Sequence, residues 1–117
     1  MILGASNNPA RFSFLAANRL KQYNHEIVPV GLKQGEVAGE LILDIRDKPI
    51  IRDVDTITMY INPRNQESYY DYILQLNPRR IIFNPGTENE ELVRAAREKN
   101  IRIEYNCTLV MLSNGSY

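Results

Sequence analysis

Short apolar runs rich in β-forming residues alternate with longer helix-patterned stretches along this whole chain, and that alternation narrows the folds open to it most. Residues 2–5 form a first apolar run, closed by Gly4-Ala5-Ser6. Phe12, Leu15, Ala16, Leu20 and Tyr23 then recur at helical spacing, with Asn24 as the stop. Residues 26–30 read as a second strand, with Pro29 marking a local irregularity. The polar stretch 31–40 carries Gly31, Gly35 and Gly39 and reads as a loop, and residues 41–46 as a short extended piece. Residues 57–61 form the third strand. Tyr69, Tyr72, Ile73 and Leu76 mark an amphipathic helix, and residues 81–83 the fourth strand. Thr87 and Glu90 have capping-box spacing and open a helix that turns Leu92, Val93 and Ala96 inward. Residues 101–105 form the fifth strand, and residues 108–117 a final turn or an edge strand.

Strands alternating with helices of this length predict a parallel sheet covered on both faces, joined by right-handed crossovers. The expected fold is therefore α/β, a Rossmann-like three-layer sandwich with a five-stranded, mostly parallel sheet. No linker or charge block divides residues 1–117, so one domain is expected.

Composition removes several functions. The chain has 14 Lys plus Arg against 14 Asp plus Glu, so no basic excess favours a nucleic-acid backbone. No apolar run approaches the roughly 18 residues of a membrane span. The opening residues lack the charged and apolar regions of a secretory leader. A single cysteine, Cys107, and a single histidine, His25, leave no internal disulfide and little scope for a metal cluster or a His-centred triad. A reducing cytoplasm is the expected compartment.

In an open parallel sheet, ligands bind beyond the carboxyl ends of the strands, where strand order reverses. The five strand ends read Gly4-Ala5-Ser6, Gly31-Leu32-Lys33, Asn62-Pro63-Arg64, Asn84-Pro85-Gly86 and Asn106-Cys107-Thr108. Any strand exit uses such turn residues, but these five share one sheet edge. Gly4 lets the backbone turn tightly and approach a ligand. Ser6 or Asn7 suits the cap of the next helix and Pro9 its first turn. The free N–H groups of that helix N-terminus suit a phosphate, with Arg11 and Ser13 adding a charged donor and a hydroxyl. The run does not match G-x-G-x-x-G: Ser6 and Pro9 replace two of its glycines. No acidic residue ends the second strand. Lys33 stands there instead, which favours NADP or a 3′-phosphorylated adenosine over NAD.

Gly4-Ala5-Ser6 with Pro9, Arg11 and Ser13 resembles the opening of the small CoA-binding domain proteins, which are similar to the CoA-binding N-terminal domain of the succinyl-CoA synthetase alpha subunit. Ile27-Val28-Pro29-Val30, Val37-Ala38-Gly39-Glu40, Asp55 to Pro63, Ala95-Ala96 and Ile103 extend the resemblance over essentially the whole chain. Gly31 stands where the family commonly has Asn, and Asn84-Pro85-Gly86 replaces its more usual turn.

The resemblance implies coenzyme A or an acyl-CoA as ligand. The turn Gly4, Ala5, Ser6 and Asn7, with Arg11 and Ser13, would hold the diphosphate. Gly31, Leu32 and Lys33 would lie along the adenosine, with Lys33 near the 3′-phosphate. Ile61, Asn62 and Pro63 would flank the adenine and ribose, and Arg64 would reach a phosphate. Asn84, Pro85 and Gly86 would line the pantetheine path.

No catalytic group is expected. His25 precedes the second strand, at the far end of the sheet, and Asp44, Asp47, Asp53 and Asp55 read as solvated turn residues. Cys107 either faces the thiol of a bound CoA or packs as a small hydrophobe. Three readings follow: a non-catalytic CoA or acyl-CoA binding module, an NADP-type or other nucleotide-binding domain, or an interaction protein with a degenerate pocket. The last would form a homodimer through its tyrosines, with Tyr70 pointing outward.

Overall fold

The computed structural model describes residues 1–117. The amino-terminal half holds β1 (Ile2–Leu3), α1 (Phe12–Gln22), β2 (Pro29–Gly31), β3 (Glu36–Val37), β4 (Glu40–Leu41) and β5 (Leu43–Asp44). The remainder holds β6 (Thr56–Met59), α2 (Pro63–Gln66), α3 (Tyr70–Gln75), β7 (Arg80–Phe83), α4 (Glu90–Glu98), β8 (Arg102–Tyr105) and α5 (Thr108–Asn114). Six strands form one sheet in the order β5-β2-β1-β6-β7-β8, every neighbouring pair parallel. The Rossmann-like sandwich is thus present, with six strands rather than five. The sixth is β5, from the short extended piece at 41–46, which pairs Leu43 with Val30 and Asp44 with Gly31.

Strand alternation sends Ile2 and Leu3 to opposite faces of the sheet. Ile2 packs with Ala17, Leu20 and Leu112, so α1 and α5 cover that face. Leu3 shares a cluster with Ile57, Tyr72, Ile73 and Leu92, so α3 and α4 cover the other. Each fully buried Leu or Ile there contributes about 1.5–3 kcal/mol.

Several local expectations need correction. The stretch 31–40 is not wholly loop: β3 and β4 form an antiparallel hairpin across Ala38 and Gly39, whose φ angles of 50° and 81° are those of a primed two-residue turn. Residues 108–117 hold helix α5, neither a simple turn nor an edge strand. The helix expected around Tyr69–Leu76 is present as α3, but α2 and a 3₁₀ turn, both unexpected, precede it. In α1 the buried stripe is Ser13, Ala16, Ala17 and Leu20, while Phe12, Leu15 and Tyr23 are exposed. Small side chains on the inner face let this helix lie close to the sheet. The cap of α4 is Asn89, whose side chain accepts from the Leu92 N–H, not Thr87; the Thr87 hydroxyl donates to the Asn84 carbonyl. Tyr70 does not point outward: it is half-buried against the core, and its hydroxyl accepts from Asn89 Nδ2 at 2.7 Å. No helix is long and apolar enough to cross a membrane.

Candidate functional site

Strand β1 lies between β2 on one side and β6 on the other, and the chain runs outward from it in both directions. The strand order therefore reverses at β1, and a crevice opens beyond its carboxyl end. A cleft of about 900 Å³ occupies that place. Its walls come from the β1–α1 turn, the ends of β2 and β6, the α2 region and the turn after β7.

The β1–α1 turn is fixed by its neighbours. The N–H groups of Gly4 and Ala5 both donate to the Val30 carbonyl, at 2.8 and 3.0 Å. Gly4 has φ of 98°, and a Cβ there would stand 2.8 Å from the Tyr60 carbonyl carbon. A Cβ at Gly31 would stand 2.3 Å from the Ala5 carbonyl oxygen. Both glycines are therefore demanded by close backbone approach, one of them by conformation as well.

The helix after this turn begins later than the sequence suggests. Its N-cap is Arg11, which makes no side-chain capping bond, in place of Ser6 or Asn7. The Ser6 hydroxyl instead accepts from the Asn8 N–H, and Asn8 Oδ1 from the Ala10 N–H, each at 3.0 Å. The Arg11 carbonyl accepts from Phe14 and Leu15, and the N–H groups of Phe12 and Ser13 have no acceptor within the chain. Phe12 and Ser13 both line the cleft, so α1 offers it two free donors at the positive end of its dipole.

The opposite wall rests on a buried polar network. Gln66, fully buried, donates to the carbonyls of Ile61 and Thr87, each at 2.8 Å, and accepts from Asn89 at 3.0 Å. One amide side chain thus fixes two wall segments that are distant in sequence. Asn62 caps α2 by accepting from the Asn65 N–H, with Pro63 following it at the first helical position.

Of the residues expected at the site, Gly4, Ala5, Ser6, Asn7, Arg11, Ser13, Gly31, Leu32, Lys33, Ile61, Asn62, Pro85 and Gly86 line the cleft. Pro63 and Asn84 do not. Asn84 is buried, its Nδ2 donating to Thr58 Oγ1 and the Met59 carbonyl and its Oδ1 accepting from the Thr108 N–H, so its side chain is committed to the scaffold. Thr108 is buried in the same network, and half-buried Cys107 is not among the cleft residues. Arg64 does line it. Tyr60, Asn65, Ser68, Tyr69 and Thr87 line it as well and were not anticipated. Nearness to a strand end gave a clue for Tyr60 and Thr87, and none for Asn65, Ser68 and Tyr69.

The electrostatics are one-sided. Arg11, Lys33 and Arg64 line the cleft, exposed, and no Asp, Glu, His or Cys joins them. None of the three forms an ion pair, whereas Lys21, Arg46, Arg79 and Arg102 are paired elsewhere with Glu40, Asp44, Asp55 and Glu104. In a chain of zero net charge, this crevice is thus lined by positive charge alone. Burial pushes the Tyr60 phenol up to about 12, so it stays neutral at physiological pH. No cluster of His, Cys, Asp and Glu is arranged to hold a metal ion.

No curated protein matches this chain. Among solved structures, an uncharacterized protein is 54% identical, with a TM-score of 0.95 over 99% of this chain and 94% of that one. A protein from Thermus thermophilus, 20% identical, has a TM-score of 0.85 over 99% of this chain and 87% of its own. A hypothetical protein from Pyrococcus horikoshii OT3, 21% identical, gives 0.82 over 97% and 80%. These last two share the fold. The family model described as a CoA binding domain matches residues 1–113, nearly the full length, and the chain belongs to that family.

Proposed function

We propose that the cleft binds coenzyme A or an acyl-CoA, and that the chain acts as a binding or regulatory module without chemistry of its own. The observation that carries this reading is the set of three unpaired cations around a crevice without a carboxylate, beside two free N–H groups of a helix N-terminus. Coenzyme A presents a diphosphate and a 3′-phosphate, and that donor set fits a polyanionic nucleotide. The cleft volume lies at the upper end of the roughly 300–1,000 Å³ usual for small-molecule sites.

In this reading the diphosphate lies against the Gly4-Ala5-Ser6-Asn7 turn and the Phe12 and Ser13 N–H groups, with Arg11 as the charged donor. Lys33 takes the 3′-phosphate and Arg64 reaches a phosphate from the opposite wall. Leu32, Ile61 and Asn62 flank the adenosine, and Pro85 and Gly86 border the pantetheine through backbone groups. Bound CoA supplies a thiol or a thioester. The lack of Cys, His, Asp or Glu in the cleft supports binding over acid–base work.

Thermal unfolding with CoA, dephospho-CoA, NADP and ATP tests the proposal, because a ligand that binds only the folded chain raises its stability. The expected order places CoA first and dephospho-CoA below it. A response to NADP alone, or none to CoA, would overturn the reading.

A further inference from the structure

The sheet ends on β8, and its outer side has no neighbour. On the inner side, the N–H groups of Arg102 and Asn106 donate toward the preceding strand, to the carbonyls of Arg79 and Phe83. Strand alternation then turns the N–H and C=O groups of Ile103 and Tyr105 outward. Edge strands are usually blunted by charge or brevity. The opposite edge, β5, is two residues long. The four-residue β8 carries one charge of each sign, Arg102 and Glu104, two positions apart and so on one face. Ile103 and Tyr105 project to the other face, where Ile103 packs on the core and the half-exposed Tyr105 ring lies 5.9 Å from Phe83.

From this edge we infer that β8 pairs antiparallel with β8 of a second copy of the chain, about a two-fold axis at Ile103. Hydrogen-bond parity allows a few registers, and the pairing of opposite charges favours one of them. Only outward-facing residues can exchange bonds, so Ile103 and Tyr105 must oppose outward-facing residues. A register placing Arg102 on the axis sets Arg102 against Arg102, and one placing Glu104 there sets Glu104 against Glu104. The register on Ile103 sets each Arg102 against the second copy's Glu104, as close non-hydrogen-bonded pairs. It also lets the two Ile103 residues exchange both backbone bonds, and it brings each Tyr105 N–H against the second copy's Ile101 carbonyl, the Ile101 N–H being held by the Ala96 carbonyl. The Arg102–Glu104 contact within one chain, 3.4 Å long between exposed groups, is exchanged for contacts between copies. Opposite signs two residues apart therefore favour self-pairing of this edge, where a like-charged pair would prevent it. The product is a continuous sheet of twice six strands, with both clefts outside the junction.

Sedimentation velocity of the full chain over a wide concentration range tests this directly. The expected result is a concentration-dependent dimer. Arg102→Glu places like charges opposite each other twice and should weaken the dimer by about tenfold or more. The double reversal R102E/E104R restores opposite charges and should recover dimerisation. Ile103→Pro removes an outward N–H that no monomer bond uses, and should give a folded monomer. A wild-type chain that stays monomeric throughout would overturn the inference. So would a dimer indifferent to R102E and I103P, or a double reversal that fails to restore what R102E removes.

Discussion

Gly31 lies directly against Ala5: a Cβ on Gly31 would stand 2.3 Å from the Ala5 carbonyl oxygen, well inside contact distance. The end of β2 and the turn after β1 therefore fit together only because position 31 has no side chain. Gly31→Ala must push the β1–α1 turn outward, and overpacking of this kind costs about 1–3 kcal/mol. The turn carries the proposed diphosphate site, so the variant should lose CoA affinity as well as melting temperature. Gly39→Ala is the control. Its Cβ would meet nothing within 4 Å, but its φ of 81° disfavours alanine, so stability should fall by about 1 kcal/mol with ligand binding intact. Thermal unfolding and calorimetric titration of both variants distinguish the two outcomes.

Asn84 supports the site without lining it. Its carboxamide joins β7 to Thr58, Met59 and the first N–H of α5, whose own N-cap, Cys107, makes no side-chain bond. Asn84→Ala leaves those buried groups unpaired and should cost about 2–4 kcal/mol in chemical denaturation. Calorimetry at a temperature where the variant stays folded should give near wild-type CoA affinity. A large affinity loss with unchanged stability would show that Asn84 touches the ligand.

The sheet was legible because its central strands are continuous apolar runs, and because their exits converge on one edge whatever the details of each turn. What escaped the pattern depended on distant partners or on local competition. Helix α5 receives its first hydrogen bond from Asn84, 24 residues earlier, which no local signature reveals. Its apolar opening, Thr108 to Leu112, has no clear period. Helix α1 starts late because Ser6 and Asn8 bind neighbouring N–H groups in turns of their own. Its buried stripe is legible at Ala16 and Leu20 but not at Ser13 and Ala17, because apolar residues occupy both faces and steric closeness, not hydrophobicity, selects the small side chains for the inside. Thr87 has the spacing of a cap, but its hydroxyl is drawn off by the Asn84 carbonyl. At the cleft, the turn residues and two of the three cations were expected as ligand residues by position, and Arg64 by resemblance. Ser68 and Tyr69 became visible only once β6 and the short helices after it were in place.

The three cleft cations should act as separable contacts. Arg11→Ala, Lys33→Ala and Arg64→Ala each remove an exposed, unpaired charge, so stability should change by less than about 0.5 kcal/mol. Each should weaken CoA binding by about 1 kcal/mol, roughly fivefold, at moderate salt. With Lys33 at the 3′-phosphate, Lys33→Ala should weaken CoA more than dephospho-CoA, whereas Arg11→Ala should weaken both alike. Calorimetry with the two ligands provides the check, and an equal effect of Lys33→Ala on both would move Lys33 away from the 3′-phosphate.

Alkaline pH should loosen the fold through Tyr72. This side chain is buried under the loop before β6, and its hydroxyl donates to the Pro49 carbonyl at 2.6 Å. Burial pushes its phenol from 10 up to about 12. Below pH 10 the phenol is protonated in both folded and unfolded chains, so the full stability is present. As pH rises toward 12 the unfolded chain releases a proton that the folded chain retains, and the balance shifts toward unfolding. Tyr60 is raised to a similar value by burial and acts in the same direction. Urea midpoints should therefore be level between about pH 9 and 10, above the titration of the buried Met1 amine, and decline beyond. Tyr72→Phe should be less stable at neutral pH by about 1 kcal/mol, for the lost bond to Pro49, and should decline less steeply in alkali. A wild-type chain and a Tyr72→Phe chain with parallel alkaline profiles would assign the decline to other tyrosines.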